Sequence, residues 1–150
     1  PTNTFGPNDH YDALNSHFLP ALIKKVHDLK LNNKKELTLW GNGLAKREVI
    51  YVDDLADACI FFMKKSFSGT TLNIGTGKDF SIKQYARIIL NKIMPKNKIK
   101  IKYDLSKPNG TPRKVLDIKL ANKYGWKSKT KLDEAITKTY INFLENNKIV

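Results

Sequence analysis

Two segments of the chain carry side chains that could bind a charged nucleotide. One runs from Trp40 through the turn residues 41–43 to Arg47, and the other is the run Lys107-Pro-Asn-Gly-Thr-Pro-Arg-Lys114. An indole ring can stack on a base, and a guanidinium can form two parallel hydrogen bonds with a phosphate. Proline and glycine favour fixed turns in such segments. The segments are therefore a candidate site for a nucleoside diphosphate, the alternative being that they only turn the chain.

His17 is a second candidate for chemistry. It follows a polar stretch and opens a predicted helix. The positive end of a helix dipole disfavours the imidazolium form, which suits a side chain that works as an acid or base. The alternative is a purely structural histidine. Together with His10 and His27 it shows no metal-ligand spacing, so we expect no metal site.

Three other features are predicted to be structural. Asp53 and Asp54 stand between a strand and a helix, where a carboxylate commonly caps the helix. Gly75-Thr76-Gly77 lacks the third glycine and the lysine of phosphate-binding loops, so we interpret it as a turn. Cys59 lies on the apolar side of its predicted helix, and we expect it in the core.

The elements that must position these residues alternate between short strands and amphipathic helices, which indicates one mixed α/β domain. Helices are predicted over 17–31, from 53 or 54 to 65, and over 81–93, 117–124 and 130–143. Strands are predicted over 37–40, 48–52, 72–74 and 98–103, with loops over 1–16 and 104–114. Ser81 is the predicted N-cap of its helix, and Gly125 is placed to end another.

Composition limits the class of protein. The 150 residues are 41% apolar and 27% charged, as in a globular domain. No apolar run reaches the roughly 18 residues of a membrane-spanning helix. A single cysteine excludes an internal disulfide and indicates a reducing, cytoplasmic setting. The chain starts at Pro1 without an initiator methionine or a signal peptide, so we expect a piece of a longer protein.

The net charge of +13 raises the question of a nucleic-acid partner. Residues 76–150 contribute +12 of it, but their lysines alternate with isoleucines over 98–103, as on the wet face of a strand. Only three arginines are present, Arg47, Arg87 and Arg113, whereas nucleic-acid binders usually interleave arginine with exposed aromatic rings. A basic polyanion-binding module is therefore a distant alternative.

Several motifs in order along the chain resemble those of the GDP-L-fucose synthases, a family of extended short-chain dehydrogenase/reductases. The matching segments are 1–9, 15–22, Trp40-Gly-Asn-Gly with Arg47-Glu48, 52–56, 73–77 and 106–114. The resemblance implies an α/β fold, the C-terminal substrate-binding part of an NAD(P)-binding Rossmann-like enzyme whose N-terminal Rossmann portion is absent. Segments of about 1–6 and 71–77 would complete the Rossmann domain.

The activity that the resemblance implies is epimerisation of GDP-4-keto-6-deoxy-D-mannose at C3 and C5, followed by NADPH-dependent reduction at C4. Residues matching the nicotinamide end of NADP(H) are Pro1, Thr2, Asn3 and Thr4, and His17 matches a cofactor-contacting histidine that is the acid in epimerisation. Residues matching the GDP-sugar pocket are Lys25, Trp40, Arg47 and Asn109. Lys25 replaces the family's usual arginine and Asn109 a common aspartate, which leaves open another nucleotide sugar such as a GDP-keto-heptose.

The resemblance implies that the residues needed for hydride transfer in the family lie outside this chain. The glycine-rich NADP loop, the Ser and Tyr-x-x-x-Lys set and the epimerase cysteine all lie upstream in the family. We therefore expect the chain alone to be inactive. Without the missing half it would expose sheet edges and apolar surface, so we expect it to aggregate or to be unstable. The partners implied are a GDP-sugar, the missing N-terminal Rossmann half and, as is common in the family, a second copy in a homodimer, with no nucleic acid and no membrane.

Overall fold

A computed structural model describes residues 1–12, 15–65, 71–96 and 98–146. The strands are β1 (Asn3–Phe5), β2 (Glu36–Trp40), β3 (Lys46–Tyr51), β4 (Asp79–Ser81), β5 (Lys100–Asp104) and β6 (Arg113–Lys114). The helices are α1 (Phe18–Leu31), α2 (Val52–Met63), α3 (Ile82–Ile93), α4 (Lys119–Lys123) and α5 (Leu132–Asn146). The α/β prediction is confirmed.

Strand β3 is the centre of the larger sheet. Its last three residues pair in parallel with β1, where Asn3 lies opposite Val49. Its first residues pair with β4 in antiparallel fashion and with β6 in parallel, where Lys46 lies opposite Arg113. A separate two-stranded parallel sheet joins β2 to β5. Neighbouring residues of β3 therefore touch segments that are far apart in sequence.

The main core lies between the first sheet and helices α1, α3 and α5. Ile23, Val26, Ile89 and Ile136 are fully buried there. Their periodic spacing gives each helix one apolar face, and burial of such side chains contributes about 1.5–3 kcal/mol each. A smaller cluster joins Ile50 of β3 to α2, α4 and Trp126. The two clusters hold β3 from both sides.

Several local predictions are confirmed. The Ser81 hydroxyl accepts a hydrogen bond from the Gln84 amide at 3.2 Å, and the Gln84 side chain bonds back to Ser81, which completes a capping box. Gly125 has φ +92° directly after Tyr124, the C-cap of α4, a conformation that favours glycine. The lysines of β5 are exposed while Ile101 is half-buried.

Short strands without a local signal were missed. Residues 3–5 form β1 inside the predicted loop, and β4 and β6 were not predicted at all. Each is only two or three residues long and exists because β3 offers a partner. The predicted strand over 72–74 is wrong, since these residues have no regular structure, although the Ile74 carbonyl accepts a hydrogen bond from the Thr2 amide at 3.0 Å.

Helix α2 differs from its prediction in cap and orientation. Its N-cap is Tyr51, so neither aspartate caps it, and the Asp54 carboxylate instead accepts hydrogen bonds from Thr130. Cys59 is exposed, so its predicted core position is wrong. The helix directs Asp54 and Ala58 inward, and Cys59, one residue further along, is rotated by about 100° away from Ala58. Met63 is exposed on this helix as well.

Candidate functional site

A cavity of about 290 Å³ brings together all four residues that were predicted to bind substrate. Lys25 comes from α1, Trp40 from the end of β2, Arg47 from β3 and Asn109 from the loop after β5. We call it the indole pocket; its other lining residues are Ser16, Phe18, Ala21, Leu22, Leu39, Ile82 and Pro108. Apolar walls with a few convergent polar groups are typical of small-molecule sites.

Two lysines stand over the Trp40 ring. The Lys25 Nζ is 5.1 Å from the ring centroid, and the Lys107 Nζ is 5.6 Å from it. Both distances fit cation–π contact. Burial lowers the pKa of Lys25 from its usual range, because the ammonium has lost part of its hydration. The residues lining this pocket include no carboxylate, so an anion bound there would offset that cost.

The Arg47 side chain is oriented by the loop beside it. Its Nη1 donates hydrogen bonds to the carbonyls of Lys46 at 2.7 Å and Thr111 at 2.6 Å. The buried hydroxyl of Tyr85 donates to the Arg47 carbonyl at 2.9 Å. These bonds fix both ends of Arg47 and leave its remaining N–H groups for a ligand. Tyr85 is a supporting residue that sequence reasoning did not assign to the site.

Asn109 joins the two loop segments. Its side-chain oxygen accepts a hydrogen bond from the Asn42 amide at 2.7 Å. Gly41 has φ +64°, and a Cβ on it would overlap the same oxygen, so only glycine permits this contact. The Asn109 carboxamide NH₂ is therefore the end that can meet a ligand. The close approach also explains why the Trp40 turn and the 107–113 loop act as one wall.

A second cleft, of about 610 Å³, contains every residue that was predicted to contact the cofactor. We call it the N-terminal cleft; it is lined by Pro1, Thr2, Asn3, Thr4, His17, Lys114, Val115 and Leu116. His17 is the N-cap of α1, as predicted, and its imidazole makes no capping hydrogen bond. The ring is thus available to a ligand in the cleft.

Glu48 is part of the Arg47-Glu48 motif, but sequence reasoning assigned it no role. It is fully buried, and its Oε1 accepts hydrogen bonds from the Thr76 and Gly77 amides at 2.6 Å each. Its Oε2 accepts from the Leu116 amide at 2.7 Å. The Gly-Thr-Gly turn therefore holds an internal carboxylate. The available signal was a single acidic residue at the start of a strongly apolar strand.

Two kinds of feature are absent from the residues that the structure describes. No helix within the described ranges is long and apolar enough to cross a membrane. Within the same ranges, no group of three or more histidine, cysteine or acidic side chains could hold a metal ion.

Comparison with known sequences identifies the relatives of this chain. Residues 1–75 match the model of the NAD dependent epimerase/dehydratase family. GDP-L-fucose synthase 1 of Arabidopsis thaliana is 38% identical over 146 residues, which cover 97% of this chain and 45% of the relative. GDP-L-fucose synthase of Escherichia coli is 36% identical, and the match covers 48% of that protein's length. The chain thus spans about half the length of the curated relatives that it matches.

Solved structures show the same relationship. A GDP-L-fucose synthetase from Naegleria fowleri, bound to NADP, superposes with a TM-score of 0.86 at 26% identity, covering 100% of this chain and 47% of that one. A GDP-D-glycero-L-gluco-heptose synthase from Campylobacter jejuni superposes with a TM-score of 0.80 at 26% identity, covering 95% of this chain and 51% of that one. The predicted fold, part of an extended short-chain dehydrogenase/reductase, is confirmed. Its sequence and its structure together show that this chain belongs to the NAD dependent epimerase/dehydratase family and is similar to the GDP-L-fucose synthases within it.

Proposed function

We propose that this chain is the GDP-sugar-binding part of an NADPH-dependent epimerase-reductase that converts GDP-4-keto-6-deoxy-D-mannose to GDP-L-fucose. The observation that carries the proposal is the convergence of Lys25, Trp40, Arg47 and Asn109 on one cavity from four separate parts of the chain. The names of the relatives that cover 97% of the chain support this substrate.

In the indole pocket, Trp40 offers a flat face for a base, and cationic groups stand beside it. The ammonium groups of Lys25 and Lys107 and the guanidinium of Arg47 would share the charge of a diphosphate. A lysine acts as a point charge, whereas an arginine fixes direction through paired hydrogen bonds. Arg47 would therefore decide the orientation of the nucleotide and Lys25 its charge selectivity.

The N-terminal cleft fits the polar end of a nicotinamide cofactor. Within one space of about 610 Å³ it offers the side-chain oxygens of Thr2, Asn3 and Thr4 as acceptors and the Lys114 ammonium as a donor, while the Thr2 hydroxyl and the Asn3 NH₂ group donate to the Glu48 carbonyl. NADPH, when bound, supplies the hydride that reduces the C4 carbonyl. His17 lies in the same cleft and would return a proton to a sugar carbon during epimerisation.

The rest of the chemistry would come from a second part of the enzyme. The chain spans about half the length of its curated relatives. Tyr103 and Lys107 have Tyr-x-x-x-Lys spacing but do not line the N-terminal cleft, so they are not the family's reductase set. We propose that an N-terminal Rossmann half supplies that set and binds the remainder of NADP(H). Segments 1–6 and 71–77 would join its sheet, and the cytoplasm is the setting we infer for the whole enzyme. A homodimer of that enzyme is part of the proposal.

A second substrate deserves a test because of two residues in the indole pocket. Lys25 and Asn109 both line it, and the resemblance implies an arginine and an aspartate at these positions in GDP-L-fucose synthases. The similar Campylobacter structure is a GDP-heptose synthase. A GDP-keto-heptose is therefore the alternative substrate, and it shares the GDP half of the first.

The proposal is tested by calorimetric titration and by NADPH oxidation, using the complete polypeptide that contains this chain. We expect GDP-mannose to bind, and UDP-glucose and a short DNA duplex to bind much more weakly. NADPH should be consumed with GDP-4-keto-6-deoxy-D-mannose. Turnover of a GDP-keto-heptose alone would favour the alternative, and DNA binding that falls steeply with salt would contradict both.

A further inference from the structure

Glu48 connects the two walls of the N-terminal cleft. One wall is the segment from Pro1 to Thr4, and the other is the segment from Lys114 to Leu116. The Glu48 carbonyl accepts hydrogen bonds from the Thr2 hydroxyl at 3.1 Å and from the Asn3 side chain at 3.0 Å. Its carboxylate accepts one from the Leu116 amide at 2.7 Å. A single residue therefore bonds to both walls, which are more than a hundred residues apart in the chain.

The same residue is also adjacent to the indole pocket. Arg47, its neighbour on β3, lines that pocket, while Glu48 points to the opposite side of the strand and is fully buried. Three backbone amides satisfy the carboxylate, two at Oε1 and one at Oε2. Among the described residues it makes no ion pair. Such a buried anion persists only where the surrounding donors are fixed in place.

We infer that Glu48 is a positioning residue. It fixes the spacing between the two walls of the N-terminal cleft and the position of that cleft relative to the indole pocket. The inference rests on the proposed function only where it concerns turnover. The geometric part, that Glu48 fixes Leu116, holds for any ligand.

A carboxylate is needed at position 48 because both of its oxygens accept from N–H groups. A glutamine offers one oxygen and one NH₂ group. If its oxygen meets Thr76 and Gly77, its NH₂ faces the Leu116 amide, and two donors oppose each other. Glu48→Gln keeps the size of the side chain and removes this one bond, so it releases the 114–116 wall while the Gly-Thr-Gly turn stays held.

The experiment combines amide hydrogen exchange with steady-state kinetics on the complete polypeptide, comparing the wild type with E48Q. The matched control is E36Q, because Glu36 is exposed on β2 and pairs only with Lys102 among the described residues. In E48Q we expect the Leu116 amide to exchange faster than in E36Q, with Thr76 and Gly77 less affected. We expect kcat to fall roughly a hundredfold, the cost of about 1 Å of misplacement, with KM for the GDP-sugar changed much less.

Unchanged protection of Leu116 would overturn the inference, whatever the activity. Faster exchange with unchanged kcat would also overturn it, because the spacing of the cleft would then not matter for turnover. A loss that appears equally in kcat and in nucleotide affinity would indicate a merely structural role and would overturn it as well. If the wild type binds GDP-mannose but reduces no GDP-keto-sugar, the proposed function fails, and the exchange result alone decides whether Glu48 fixes Leu116.

A second variant covers the case in which E48Q does not fold. A Cβ on Gly75 would overlap the Glu48 Oε1, and the backbone of Gly75 is not in the left-handed region. Gly75→Ala therefore displaces the carboxylate without changing any charge. We expect the same rise in Leu116 exchange and the same fall in kcat, and wild-type values for both would overturn the inference.

Discussion

Replacing Arg47 with alanine tests the indole pocket most directly. The guanidinium already uses Nη1 for two loop carbonyls, so only its remaining N–H groups can reach a phosphate. One or two charge-assisted hydrogen bonds would be lost, each worth about 1.5–3 kcal/mol. The side chain is half-buried, and solvent screening reduces the combined figure. We therefore expect a loss of about 1.5–3 kcal/mol, or roughly 10- to 150-fold in Kd.

The assay is calorimetric titration of the complete polypeptide with GDP-mannose. Arg47→Lys should recover part of the loss, because it restores the charge but not the planar fork. Arg87→Ala is the control, since Arg87 is exposed on α3 and does not line the pocket. Thermal unfolding of each variant separates loss of the fold from loss of affinity. An affinity for R47A within about twofold of the wild type would refute the reasoning, because even one charge-assisted bond exceeds that.

Four further predictions concern other parts of the molecule. His17→Asn should slow epimerisation more than reduction of an already epimerised sugar, measured by solvent-deuterium incorporation and NADPH oxidation; equal losses would assign His17 a structural role. Asp54→Ala should lower the free energy of unfolding by about 2–4 kcal/mol, because two hydrogen bonds from Thr130 are lost in a buried place, at 3.0 Å and 2.9 Å. Urea unfolding measures it, and a change below about 0.5 kcal/mol, as at ordinary surface positions, would contradict it. Cys59→Ser should change stability by less than about 0.5 kcal/mol, since the thiol is exposed, and the wild-type thiol should react with a thiol reagent without unfolding. Burial raises the pKa of Tyr11 to about 12, so the unfolded chain loses this proton at lower pH than the folded chain does. The free energy of unfolding should therefore fall as pH rises from about 10 to about 12. Tyr11→Phe should weaken that fall, and identical alkaline unfolding curves for the variant and the wild type would contradict the prediction.

Strong local signals made much of the fold predictable. Helices α1, α3 and α5 have apolar residues at helical spacing, and the capping residues Ser81 and Gly125 act within a few residues of their own position. The failures have a different cause. Strands β4 and β6 carry no periodicity of their own and are stabilised by β3, so no local pattern could reveal them. Cys59 was misplaced because a shift of one residue turns a helical side chain by about 100°.

The candidate site also has one part that local sequence predicts and another that depends on tertiary packing. The residue types and motifs in the sequence determined which side chains could bind a nucleotide sugar, since the chemistry of Trp40, Arg47 and His17 belongs to the side chains themselves. Only the tertiary structure decided that Lys25 and Asn109 meet Trp40 and Arg47 in one cavity, because α1 and the loop after β5 approach each other through packing and not through local sequence. It also decided the role of Glu48, whose partners Thr2, Thr76 and Leu116 lie 28 to 68 residues away along the chain. A hydrogen bond across such a distance depends on how strands pair and helices pack, and no periodicity or spacing in the sequence records it.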